Sequence, residues 1–159
     1  MRESDFLTAL LAEREARRAQ DPLWGFKPHP KQQAFIDAVL GPTCYENWLF
    51  AANRAGKSDA GAWAVAHIAR FGFPHEPSFR PTIGWVVSLD FPSSRDIVQP
   101  KLFDNGVSGQ QSHPPFIPDR EIKTWRVSDQ VLVLKNGSVI GFKSADSGRA
   151  KFQGAERDY

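Results

Sequence analysis

The run Ala51-Ala52-Asn53-Arg54-Ala55-Gly56-Lys57-Ser58 constrains this chain more than any other feature. It follows a short apolar run, Asn47-Trp48-Leu49-Phe50-Ala51-Ala52, which predicts a buried strand. It precedes an alanine-rich stretch, Gly56 to about Phe71 with Trp63, Val65 and Ile68 inside it, which predicts a helix. A bare Gly-Lys-Ser triplet arises by chance; one set between a strand and a helix reads as a phosphate-binding loop. Each part has a task. Successive backbone amides wrap phosphate oxygens. Gly56 lets the backbone approach without a Cβ in the way. Lys57 brings a point charge, and the Ser58 hydroxyl is a magnesium ligand. The helix turns its positive end toward the anion. The expected ligand is therefore a nucleoside triphosphate with Mg2+, bound by Ala52, Asn53, Arg54, Ala55, Gly56, Lys57 and Ser58. Ala51 stands where the usual pattern has a first glycine, which requires a negative φ there.

Arg54, three residues before Lys57, is placed to reach the γ-phosphate as an arginine finger in cis; the competing reading is a loop arginine paired with an acid. Gln32 and Gln33 are candidates for an adenine edge, against the plainer reading of a polar helix face. Asp90 ends the apolar strand Ile83 to Leu89 and is a candidate magnesium carboxylate, although Phe91-Pro92 follows it in place of a water-orienting glutamate. His29, His67, His75 and His113 show no metal spacing.

Around the loop, residues 4 to 19 predict a helix with Phe6, Leu7, Leu10 and Leu11 as its stripe. Residues 21 to 30 hold three prolines and a glycine and predict an extended connector. Pro30 opens a helix to about Leu40. A second strand covers Thr82 to Leu89, and a helix covers Ser94 to Phe103. Residues 104 to 120 form a loop of a length that implies function or mobility. Ile122 to Val127, Val131 to Lys135 and Ser138 to Lys143 predict an antiparallel meander, with Asn136-Gly137 as a hairpin turn. A 159-residue chain supports one domain, and 41% hydrophobic residues with five Trp and twelve Phe supply a core. No apolar run approaches the ~18 residues of a membrane span, and the N-terminus lacks the pattern of a signal peptide. The net charge of +2 gives no concentrated basic face; Arg14, Arg17 and Arg18 alternate with Glu13 and Glu15 as on a solvated helix. The single cysteine, Cys44, excludes an internal disulfide.

Three segments together resemble the large terminase subunit of tailed bacteriophages: Pro28-His29-Pro30-Lys31-Gln32-Gln33-Ala34-Phe35, then Phe50 to Ser58, then Lys143-Ser144-Ala145-Asp146 with Gly148-Arg149-Ala150-Lys151-Phe152-Gln153-Gly154-Ala155. The likeness covers roughly residues 28 to 159. It implies an α/β fold, a three-layer P-loop NTPase sandwich with an incomplete central sheet. Residues 1–27 would form an N-terminal helix and connector, and 28–159 a partial ATPase domain. It implies ATP with Mg2+ as the ligand, that Gln32 and Gln33 lie in an adenine-contacting segment, and that Lys57 and Arg54 hold the phosphates and Ser58 the magnesium. It implies double-stranded DNA, a portal protein and a small terminase subunit as partners, a homo-oligomeric ring, no membrane, and a place in the host cytoplasm. In that family an apolar strand ending in Asp-Glu follows the Phe-Gln-Gly-Ala stretch. Asp158 has no apolar run before it and does not match that aspartate, so the water-orienting glutamate would lie beyond residue 159 and Asp90 would not be a metal ligand. The expectation is a fragment that binds nucleotide and hydrolyses it poorly. Three rivals stand beside it: a complete small P-loop phosphotransferase using Asp90, a helicase-like fragment, and a non-enzymatic, nucleotide-responsive assembly module.

Overall fold

The computed structural model describes residues 3–43, 46–52, 54–107, 113–148, 152 and 157–159, without the side chains of 3–7 and 17–19. Four helical elements come first: α1 (Glu3–Ala19), α2 (Pro22–Gly25), α3 (Pro30–Leu40) and α4 (Lys57–Phe71). Strand β1 (Ile83–Ser88) leads into a helical run made of α5 (Phe91–Ser93), a π-helical turn (Ser94–Val98) and α6 (Gln99–Leu102). The meander β2 (Ile122–Arg126), β3 (Val131–Leu134) and β4 (Val139–Ser144) follows. The sheet order is β1-β4-β3-β2, with β1 parallel to β4 and the other pairs antiparallel.

Periodicity placed most of these elements. The connector over 21–30 needs correction, because Asp21 accepts the Leu23 N–H at 3.0 Å and caps a helical turn opened by Pro22. That turn drives Leu23 fully into the core. The strand expected over Asn47 to Ala52 is also corrected: the segment joins no strand of the sheet, and Trp48 and Phe50 are 75% and 87% exposed. An apolar run becomes a strand only beside a ladder partner, and the described residues give it none. The loop over 104–120 is anchored in its described second half. Phe116 and Ile117 are fully buried, and their amides donate to Lys101 O and Leu102 O at 2.9 and 2.8 Å. In α1 the Leu10 and Leu11 side chains are about half exposed, while those of Phe6 and Leu7 lie outside the described residues.

The core lies on one face of the sheet. Ala62, Ala66 and Ala69 of α4 pack with Leu102, Phe103, Phe116 and Ile117 against Leu132, Leu134, Ile140 and Phe142. Alanines on this stripe let the helix lie close to the strands. The opposite face carries Ile83 and Val87, each about half exposed, and the partly exposed Val131, Val133 and Val139. Among the described residues no helix covers it, so they supply two of the three expected layers.

Two anchorages fix the direction of α4. At its C-terminal end the Asn136 amide, in the β3–β4 turn, donates to Ala69 O and Arg70 O at 2.9 and 3.1 Å. At its N-terminal end Asp59 pairs with Lys101 of α6, soon after β1 finishes. The start of α4 therefore stands at the carboxyl ends of the parallel strands β1 and β4, the side of an α/β sheet where ligands bind.

Arg70, on the last turn of α4, is buried. It pairs with Asp21 and Glu121 and donates to Phe116 O at 2.9 Å. Close by, His67 stacks on Trp63 at 5.1 Å and meets Trp24 and Phe71 edge-on, with its buried Nδ1 lacking a hydrogen-bond partner among the described residues. Burial, and then the charge of Arg70, lower its pKa below the ordinary 6.5. Above 6.5 neither state pays for a charge there. As pH falls through 6.5 the unfolded chain takes up a proton that the fold resists, so stability declines toward the lowered folded value. The melting temperature should fall between pH 7.5 and 5, and His67→Phe should flatten that fall; calorimetry at the two pH values checks it.

Candidate phosphate-binding site

The loop before α4 is built from backbone conformations that side chains seldom adopt. Arg54 has φ of 63° and Gly56 has φ of 70°, both left-handed. For arginine this costs about 1–2 kcal/mol, and such outliers gather at functional sites. Gly56 is the N-cap of α4 and gives it no side-chain cap, so the first-turn amides have no side-chain acceptor from that position. A Cβ at Gly56 would stand 2.3 Å from Gln32 Nε2, so any other residue here would displace the glutamine and strain a left-handed backbone.

Lys57 Nζ curls across the loop and donates to Ala51 O and Ala52 O at 2.6 and 2.7 Å. The Ala55 amide donates to Ala52 O at 3.3 Å. Arg54 and Ser58 are exposed at the mouth. Asn53 lies outside the described residues, as do Arg149-Ala150-Lys151 and Gln153-Gly154-Ala155 of the third resembling segment. The loop, the first turn of α4 and the carboxyl ends of β1 and β4 thus share one edge. That arrangement offers amide donors, a lysine, an arginine and a hydroxyl, a set that fits a polyphosphate with a hard divalent cation.

The other predicted residues are placed as follows. Gln32 is buried, and its amide donates to Gly56 O at 2.9 Å while its carbonyl accepts the His29 N–H at 2.9 Å. Gln33 is exposed and donates to Asp37 at 2.7 Å, away from the loop. Asp90 accepts the Ser93 N–H at 2.6 Å and caps α5; that backbone bond holds its carboxyl below the usual range. Asp158 lies at the amino end of β1, where its carboxylate accepts the Ile83 N–H and pairs with Arg80, each at 2.7 Å. That is the end of the sheet remote from the loop. Along the same outer edge of β1, Asp158 N donates to Ile83 O at 2.8 Å and Trp85 N to Tyr159 O at 2.9 Å.

Two features escaped the sequence reading. His29 contacts Ala55 O through Nε2 at 3.2 Å. Its signal was present: a cap residue before Pro30 with glutamine at the third helical position is a capping-box pattern, with histidine in the place of serine. Asp59, one turn into α4, holds both Lys101 and His113, the latter at 3.3 Å. No sequence spacing links these three, because they come from separate segments. Among the described residues no group of three or more His, Cys, Asp or Glu could hold a metal ion, and no helix is long and apolar enough to cross a membrane.

The large terminase subunit of Salmonella phage P22 is 29% identical to the chain over an alignment of 183 positions. The chain is similar to a phage terminase large subunit. That similarity takes in 93% of the chain and bears out the resemblance read from its residues. The chain spans about a third of the relative's length, 36% of it. No protein-family profile matches the chain, and no solved structure matches it.

Proposed function

We propose that the chain forms the ATP-binding portion of a viral DNA-packaging motor of the terminase type, with a P-loop NTPase fold. The observation that carries this reading is the left-handed pair Arg54 and Gly56 leading uncapped into α4 at the carboxyl edge of a parallel strand pair. The similarity to the P22 terminase large subunit supports it. In this reading the amides of 55–58 cradle the β- and γ-phosphates, Lys57 swings from the Ala51 and Ala52 carbonyls onto their oxygens, and Arg54 reaches the γ-phosphate from the mouth. The Ser58 hydroxyl ligates magnesium, which when bound neutralises charge on the phosphates. In the larger assembly ATP hydrolysis drives double-stranded DNA into a capsid in the host cytoplasm, with a portal protein, a small subunit and further copies as partners.

Hydrolysis by this chain alone is expected to be slow. The carboxylates described near the loop edge are already engaged: Asp90 on Ser93, Asp146 on Ser144, and Asp59 on Lys101. None of the three is followed by a glutamate, the residue that the terminase resemblance places after a strand-ending aspartate to orient the attacking water. Isothermal titration with ATP and magnesium should give saturable one-to-one binding, and a phosphate-release assay should stay near background. Absence of ATP binding would overturn the reading, and so would rapid magnesium-dependent turnover that Asp90→Asn abolishes, since that result assigns a complete small phosphotransferase.

A further inference from the structure

Among the described residues, the N-terminus of α3 hydrogen-bonds to the phosphate loop through two main-chain carbonyls, which bears on what Gln32 is for. A glutamine that reads adenine must present a donor and an acceptor together to the base edge. Here the His29 N–H occupies one lone pair of the Gln32 carbonyl and Gly56 O takes one of its amide hydrogens, and the residue is 6% exposed. His29 is equally committed. Its Nδ1 accepts from the amides of Lys31 and Gln32, at 3.2 and 3.4 Å. A bare Nδ1 puts the ring proton on Nε2, and Nε2 faces Ala55 O, which can only accept. The capping box of α3 thus fixes both side chains, and each spends its outward donor on one of two successive carbonyls of the loop, Ala55 and Gly56.

Those two carbonyls belong to peptides flanking the left-handed Gly56. Turning them away from the ligand side turns the following amides toward it, because each peptide is planar and its C=O and N–H point in opposite directions. We propose that His29 and Gln32 are positioning residues: a clamp that holds the phosphate loop in its anion-binding conformation. The inference rests on the phosphate-binding reading of the loop. It assigns the clamp's effect to the phosphates, so any ligand carrying the same triphosphate should feel its loss equally.

The test uses the 159-residue chain and three probes with magnesium: ATP, GTP and inorganic tripolyphosphate. Gln32→Met keeps the length of the side chain and removes the donor to Gly56. His29→Asn keeps a good N-cap and removes the reach to Ala55. Each should weaken all three probes together by about tenfold, the scale of one lost hydrogen bond, with α-helical circular dichroism unchanged at a temperature well below melting. Weaker ATP binding with GTP and tripolyphosphate unchanged would overturn the clamp and make Gln32 a base contact. Unchanged affinity for all three in both variants would overturn it too. Failure of the unsubstituted chain to bind any of the three probes would remove the phosphate site itself, a distinct result seen before any substitution, and the clamp with it.

Discussion

Replacing Arg70 with methionine should cost about 3–5 kcal/mol of stability, the range for removing one partner of a buried ion pair. Methionine matches the stem of arginine and fills the space under Phe71, so little of the loss would come from a cavity. The cost comes from what is left behind. Asp21 is 6% exposed, and Arg70 is its nearest cation; Arg120 stands farther off, at 3.4 Å. Burial alone would raise the Asp21 carboxyl, but the hydrogen bond from Arg70 and the capped Leu23 amide hold it below the ordinary 3.8. With Arg70 gone that balance reverses, the carboxyl takes up a proton more readily, and the Phe116 carbonyl loses its donor. A fall in melting temperature of about 10 °C is expected for a chain of this size. A second sign separates this from a generic packing defect. In the unsubstituted protein the contribution of Asp21 is complete above 3.8 and disappears as pH falls through its lowered folded value. The variant should lack that acid limb. Urea unfolding at pH 7 and pH 3 measures both.

Lys57→Ala should lower ATP affinity on the order of 100-fold, the loss of charge-assisted bonds to phosphate oxygens, and leave the melting temperature within a few degrees. The two halves of that prediction have different causes. Binding falls because no other lysine lies in the loop, and Arg54 approaches from the exposed mouth. Stability holds because, among the described residues, the Lys57 ammonium bonds to the exposed Ala51 and Ala52 carbonyls alone, which water can satisfy in its place. Equal ATP affinity in Lys57→Ala and the unsubstituted chain would exclude this loop as the phosphate site. Isothermal titration in magnesium decides it.

Elements whose signal is local were legible in the sequence. The alanine stripe of α4, the β-branched run of β1 and the Asn136-Gly137 hairpin each declare themselves within one turn or one pair of strands, and each formed where expected. Asn136 also caps α4 from 67 residues away, which no local pattern records. The misplaced strand over Asn47 to Ala52 has the same origin. Apolar content marks a segment as wanting burial, while pairing depends on whether a neighbouring edge is at hand. The site divides in the same way. Arg54, Gly56, Lys57 and Ser58 lie in one contiguous loop and could be read directly. The grip of His29 and Gln32 on that loop, and the Asp59, Lys101 and His113 cluster beside it, are products of the tertiary fold.

The reach of Arg70 along the chain bears on the order in which this domain assembles. Its partners Asp21, Phe116 and Glu121 stand 49, 46 and 51 residues away, two of them ahead in the chain and one behind. Closing loops of that size is entropically costly and is repaid only when each partner arrives. Until all three are present, docking α4 on the sheet would bury an unsatisfied guanidinium. Docking of α4 on the sheet is thereby tied to the N-terminal connector and to the segment before β2, because one buried charge takes partners from both.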